Sequence, residues 1–218
     1  MIDLHSHSLL SDGVLLPSEL IRRAEAKGYR YWAITDHGDV SNVDHIVPRV
    51  VRVARELNAR WKIKVLPGIE LTHIPPETIF SLVRRTQELG ACLVIVHGET
   101  IVEPVPPGTN RAAIEAGVNI LAHPGLITAE EVRLAAEKNV LLEITSRKGH
   151  SLTNGHVARL AGEHGAGLVL NSDSHAPDDI VSLQQRERVV LGAGLETGAL
   201  QTMDETSLRL FNRLLPER

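Results

Sequence analysis

Short runs of aliphatic and β-branched residues alternate along this chain with stretches whose apolar positions recur every three to four residues. The runs are "IDLHSH" (2–7), "YWAITDH" (31–37), "KVLPGIELTHI" (64–74), "CLVIVHG" (92–98), "NILAHPG" (119–125), "VLLEITS" (140–146) and "GLVLNSDSH" (167–175). Each predicts a strand. The stretches between them predict helices over 17–28, 42–58, 76–90, 110–117, 128–139 and 154–164, and 178–218 reads as mostly helical. Pro17 suits a helix start and Gly28 a helix end. Thr128 with Glu131 has the spacing of a capping box. Seven strands, each followed by a helix, imply parallel pairing through right-handed crossovers. Nearly continuous apolar strands imply that both sheet faces are covered. Two architectures satisfy this pattern: a closed β/α barrel and an open doubly wound sheet. No linker, repeat or low-complexity segment divides the chain, so 1–218 is read as one domain.

Composition narrows the picture. Aromatics are 3% against 43% hydrophobic residues, so the core is aliphatic. The net charge of −4 offers no basic excess for holding a long nucleic acid. Cys92 is the single cysteine; it predicts an inert core thiol and a reducing compartment, the cytoplasm. No run of about 18 apolar residues predicts a membrane span, and no cleavable leader is recognisable.

Chemistry concentrates at one end of every strand. The first carries His5 and His7, the second Asp36 and His37, the third Glu70, the fourth His97, the fifth His123, the sixth Glu143 and the seventh Asp173 and His175. In parallel β/α folds the C-terminal strand ends share one face, and sites are built there. Six of the eleven histidines fall at these ends, too many for independent accidents. Imidazole together with carboxylate suits divalent zinc, manganese or iron, so a multinuclear metal site is expected. His45, His156 and His164 fall in predicted helices and His73 lies past the third strand; these four read as ordinary residues. His150 and Glu143 are left open.

These motifs, "DLHSHSLLSDG", "TDH", "GIE", "VHG", "AHP" and "SDSH", resemble in order those of the PHP family of polymerase and histidinol phosphatase domains. The resemblance implies a distorted barrel of seven strands and helices, a (β/α)7 barrel, and hydrolysis of phosphoesters with two to three divalent ions. It implies one ion held by His5, His7, Glu70 and Asp173. A second would share Glu70 and add His97 and His123. A third would take Asp12, His37 and His175, with Asp12 standing where some members have histidine.

Divalent ions activate water for direct attack on phosphorus, so no Ser or Cys nucleophile is required. Asp36, beside His37, is a candidate for orienting a ligand. Arg147 and Lys148, after the sixth strand, are candidates for gripping phosphate, Arg147 also for catalysis. The expected substrate is a small phosphomonoester such as histidinol phosphate or a nucleotide. A nuclease acting on ends or short oligonucleotides and a non-catalytic metal-bearing module are the alternatives.

Overall fold

The computed structural model describes residues 1–215. The strands are β1 (Ile2–Asp3), β2 (Tyr31–Ile34), β3 (His37–Gly38), β4 (Lys64–Leu71), β5 (Leu93–His97), β6 (Ile120–Ala122), β7 (Leu141–Thr145) and β8 (Leu168–Asn171). The α-helices are α1 (Pro17–Ala26), α2 (Val43–Arg60), α3 (Ile79–Glu88), α4 (Thr109–Glu115), α5 (Ala129–Lys138), α6 (Asn154–His164), α7 (Leu183–Gly192) and α8 (Ala199–Leu214). Pairing is parallel throughout, in the order β1-β2-β4-β5-β6-β7-β8. A single parallel bridge, Ser6 to Ser174, brings the first and last strands together. The result is a nearly closed barrel, which decides against the open sheet.

Two differences from the sequence pattern have local causes. The second predicted strand is interrupted: after Thr35 and Asp36 the chain re-enters the sheet as β3, which also pairs with β4. The first predicted strand shrinks to two residues because side chains replace its ladder. Leu4 N donates to Asn171 Oδ1 at 2.9 Å, and Ser6 N donates to Thr35 Oγ1 at 3.0 Å. Ser172 N donates to Asp3 Oδ2 at 3.0 Å across the same seam. The predicted helical tail is two helices, α7 and α8, and its residues 216–218 lie outside the described residues. Cys92 is half-buried rather than buried. No helix among the described residues is long and apolar enough to cross a membrane.

Alternation along each strand separates two apolar clusters. Val65, Val94, Val96, Leu121, Leu142 and Leu170 face the surrounding helices. Ile2, Leu4, Leu66, Leu93, Ile95, Ile120, Ala122 and Val169 fill the barrel. The inward column then changes character toward the C-terminal end. On β4, Leu66 is followed by Gly68 and Glu70; on β5, Leu93 and Ile95 are followed by His97. A Cβ at Gly68 would stand 2.8 Å from Thr35 Cγ2 and 2.9 Å from the Leu93 carbonyl, so this level has no room for a side chain. An apolar floor therefore carries a polar upper layer.

Helix α8 packs on β8 and β1 and contributes Leu210 and Phe211 to the inner cluster, where Phe211 is fully buried. This helix closes the N-terminal end of the barrel. Phe211→Ala is expected to destabilise the fold by about 3–5 kcal/mol, the usual cost of emptying a buried aromatic site. Denaturant unfolding would measure it, and a loss below about 1 kcal/mol would remove α8 from this role.

Candidate metal centre

At the C-terminal end of the barrel Glu70 is fully buried and ringed by imidazoles. Its oxygens lie 3.3 Å from His5 Nε2, 3.6 Å from His7 Nε2, 2.7 Å from His37 Nδ1 and 3.7 Å from His123 Nε2. Asp173 faces the same centre from after β8, 3.0 Å from His7 Nε2, 3.7 Å from His5 Nε2 and 3.7 Å from His123 Nε2. Asp12, on the loop after β1, lies 3.5 Å from His37 Nε2 and 3.3 Å from His175 Nε2. Donor atoms of His7, Asp12, His37 and His175 lie within 4.8 Å of one another, as do those of His5, His7 and Glu70, of His5, His123 and Asp173, and of His97, His123 and His150.

These contacts are not ordinary hydrogen bonds. His5 Nε2, both ring nitrogens of His7, Nδ1 of His123, Oε1 of Glu70 and Oδ1 of Asp173 are buried with no hydrogen-bond partner. Buried polar atoms are normally satisfied, and so many unsatisfied ones in one place need a ligand to account for them. Ligand atoms about 2.1 Å from one tetrahedral ion are about 3.4 Å from each other, close to the spacings seen. The donor set thus fits divalent ions of the zinc, manganese or iron type.

Supporting groups orient the donors. Glu143, which the sequence left open, is buried; its Oε1 lies 2.8 Å from His5 Nδ1 and accepts from Asn171 Nδ2 at 2.8 Å, while Oε2 accepts from His123 N at 3.2 Å. Carboxylate on one nitrogen of a histidine fixes the other toward a metal. His37 Nδ1 is engaged by Thr72 Oγ1 at 2.7 Å, which leaves Nε2 toward Asp12. His123 and Asp173 sit in the left-handed region, at φ 27° and 51°. Such backbone costs about 1–3 kcal/mol for a non-glycine residue and persists only where its surroundings enforce it.

Three sequence expectations change. Asp36 touches no ligand side chain directly: it accepts from Ser8 N (2.7 Å), Ser8 Oγ (2.8 Å), Ser11 N (3.1 Å) and Ser11 Oγ (2.8 Å). Its work is to shape the loop that carries Asp12. Lys148 is exposed and takes no part in the cleft wall, so the second phosphate contact expected there is withdrawn. His73, read as ordinary, stands 3.0 Å from Glu103 at the mouth of the site. Arg147 does line the cleft, with Nη1 donating to Asp179 at 3.1 Å. Glu103, which the sequence gave no reason to single out, meets His97 at 3.1 Å and His150 at 3.3 Å. His156 bonds the Ile127 carbonyl, away from the centre.

The cleft above the cluster has a volume of about 400 Å³. A larger groove of about 610 Å³, lined by Met1, Tyr31 and residues of α7 and α8, lies at the opposite barrel end and holds none of the donors.

The model of the PHP domain family matches residues 3–101. An uncharacterized protein of Methanocaldococcus jannaschii is 45% identical over 201 residues, spanning 91% of this chain and 92% of its own. A protein of Shewanella pealeana described as a probable phosphatase is 30% identical, spanning 97% and 92%. The chain belongs to the PHP domain family. Its fold is shared with a solved structure from work on metal-dependent tyrosine phosphatases of Bacillus subtilis and Streptococcus pneumoniae, at TM-score 0.64 and 18% identity over 100% of this chain and 97% of that one. Several relatives that span almost the whole chain are described as probable phosphatases.

Protonation in this PHP centre opposes metal uptake. Burial alone would lower the His37 pKa, but Glu70 and Asp12 raise it to about 10. His5 is likewise raised despite burial, by Glu143, Glu70 and Asp173. Glu70 is held well below its usual range by His5 and His37, although burial works the other way. Ions must displace protons from imidazoles that hold them at neutral pH. Zinc or manganese uptake at pH 7 is therefore expected to release protons, and affinity to rise with pH toward about 10, where His37 gives up its own. Titration calorimetry in buffers of different ionisation enthalpy measures the release; buffer-independent heats would contradict it.

Proposed function

We propose that this protein is a metal-dependent phosphoesterase acting on a small phosphomonoester. One observation carries the reading: buried imidazole and carboxylate atoms without hydrogen-bond partners converge where a parallel barrel opens into a cleft. His5, His7, Glu70 and Asp173 would hold one ion, Glu70 with His97 and His123 a second, and Asp12, His37 and His175 a third. Such ions lower the pKa of water toward neutrality and neutralise charge on phosphoryl oxygens. The chain itself supplies the rest. Glu143 fixes His5, Thr72 fixes His37, and Asp36 fixes the Asp12 loop. The cleft, about 400 Å³, suits a small molecule. The relative described as a probable phosphatase and the metal-dependent neighbours support the same class.

A nuclease would need a cationic track for the phosphates on either side of the scissile one. Among the described residues lining the cleft, Arg147 is the one lysine or arginine, and it is paired with Asp179. This favours the monoester. The experiment is release of inorganic phosphate from a panel of phosphomonoesters beside cleavage of a labelled oligonucleotide, with and without chelator. Phosphate release that chelation abolishes and zinc or manganese restores is expected. Oligonucleotide cleavage alone would reverse the choice, and neither activity from the metal-loaded protein would return it to a binding module.

Arg147 is the chain's candidate for the phosphoryl oxygens on the side away from the ions. Asp179 holds its guanidinium at 3.1 Å, and the same Asp179 Oδ2 accepts from His175 N at 2.9 Å. Its side chain is thereby tied to the turn that carries a proposed ligand. Arg147→Ala is expected to lower kcat/KM by about 10²–10³ without changing metal content, as for loss of one preorganised donor. Arg111, exposed and paired with Glu115 and Glu130, serves as the comparison and should be silent on substitution to Ala. Equal kcat/KM for the two variants would exclude Arg147.

A further inference from the structure

Outside the nine residues named for the ions, one cluster is built like a ligand set. Glu103 stands on the Pro-rich loop between β5 and α4. Its Oε2 is 3.1 Å from His97 Nε2 and 3.0 Å from His73 Nε2, and its Oε1 is 3.3 Å from His150 Nε2. His150 stacks on His123 with centroids 4.2 Å apart, and donor atoms of His97, His123 and His150 lie within 4.8 Å of one another.

The ring orientations are informative. His97 Nδ1 lies 3.2 Å from the Gly98 carbonyl, which can only accept, so Nδ1 carries the hydrogen. In neutral His97 the Nε2 atom is then a bare lone pair aimed at a carboxylate oxygen. Two acceptors 3.1 Å apart repel unless a proton or a metal ion stands between them, and an ion of the neighbouring site would take the place of the proton. His150 repeats the posture: Nδ1 meets Thr100 Oγ1 at 2.8 Å and Nε2 faces Glu103. One ring nitrogen engaged by a backbone or side-chain partner, the other directed at a shared point, is how metal-bound histidines are held.

We propose that Glu103 and His150 are additional ligands of the second ion, joining His97 and His123 on the side of that ion that faces the cleft mouth. The inference rests on the metal-dependent reading above. It assigns the 99–108 loop a function: the loop brings a carboxylate over the barrel, and an ion ties it down. The loop is prepared for this at its base, where Glu99 Oε1 accepts from Gly108 N and Asn110 N, both at 2.9 Å, while Thr100 holds His150. His73 contacts Glu103 alone of the carboxylates and holds it in position.

The test compares wild type with Glu103→Gln, Glu103→Ala and His150→Ala. Retained zinc is measured against a graded series of chelator concentrations, and the visible spectrum of the cobalt-substituted protein is recorded. Circular dichroism establishes that each variant is folded; Glu103→Gln keeps the side-chain shape and guards against misfolding of the truncated forms. One equivalent of metal is expected to bind at least about tenfold more weakly in Glu103→Ala and His150→Ala, with a changed cobalt spectrum. If the wild type takes up metal and all variants match it in both measurements, Glu103 is only an ion-pair partner and this inference falls by itself. If the wild type takes up no metal, the phosphoesterase reading falls with it.

Discussion

Everything at the C-terminal end of this barrel follows from burying the carboxylate of Glu70. A charge taken out of water is costly unless it is paired, and the interior of a β/α barrel offers no solvent to share the burden. The fold answers with imidazoles from three different strand ends: His5 and His7 after β1, His37 on β3 and His123 after β6. Those rings are themselves buried; burial drives His7 and His123 toward the neutral form, while nearby carboxylates keep His5 and His37 charged. Beside Glu70, those carboxylates are Asp173, Glu143 and Asp12, from the eighth strand, the seventh and the first loop. The interdependence accounts for a polar layer assembled from all around the barrel: the charge of His5 and His37 depends on carboxylates brought by other strands and loops.

The cost extends to the backbone. His123 and Asp173 adopt left-handed conformations that β-rich sequence would not choose. At Gly13 the loop that carries Asp12 turns back so closely that a Cβ would lie 2.3 Å from the His7 carbonyl oxygen. Asp36 then fastens that loop through Ser8 and Ser11. Stability for these features comes from below, where Leu66, Ile95, Ile120 and Phe211 form a dry floor that needs no metal. A strained, charged layer thus rests on an apolar base, with positive-φ residues and unpaired buried polar atoms concentrated in the candidate site.

Much of this was legible in the sequence, because strand polarity alone sends the ends of parallel strands to one face. His5, His7, Glu70, His97, His123 and Asp173 were visible as polar residues closing apolar runs, and period-two alternation from Leu93 through Ile95 to His97 even predicts inward orientation. What escaped has a common cause. Asp36 also closes a strand, yet the chain kinks at Thr35 and Asp36, and the carboxylate turns to the loop serines. Arg147 and Lys148 are adjacent, so pattern could not tell which one meets the cleft. Glu103, His73 and His150 sit on loops, where no periodicity says which way a side chain faces. A histidine or glutamate in a Pro-rich loop looks the same in sequence whether it meets solvent or a partner 50 residues away, as Thr100 meets His150.

The charge of the cleft sets the order of events for any anionic ligand. Its walls carry Asp12, Asp39, Glu103 and Asp173 above the buried Glu70, against the protonated His37 and one guanidinium that is already paired with Asp179. A phosphomonoester near neutrality brings a charge of about −1.5 to −2 of its own. Without divalent ions the carboxylates oppose the phosphate, and the protonated His37 on the cleft wall offsets only part of them. Divalent ions reverse the sign of the field in the cleft. Binding of metal and binding of phosphate are therefore linked in one direction and, by thermodynamic necessity, in the other: a bound phosphate must tighten the hold on the ions by the same factor that the ions tighten the hold on phosphate. On the phosphoesterase reading, a site made almost wholly of histidine and carboxylate would use its metal as the anion-binding element as well as the source of reactivity.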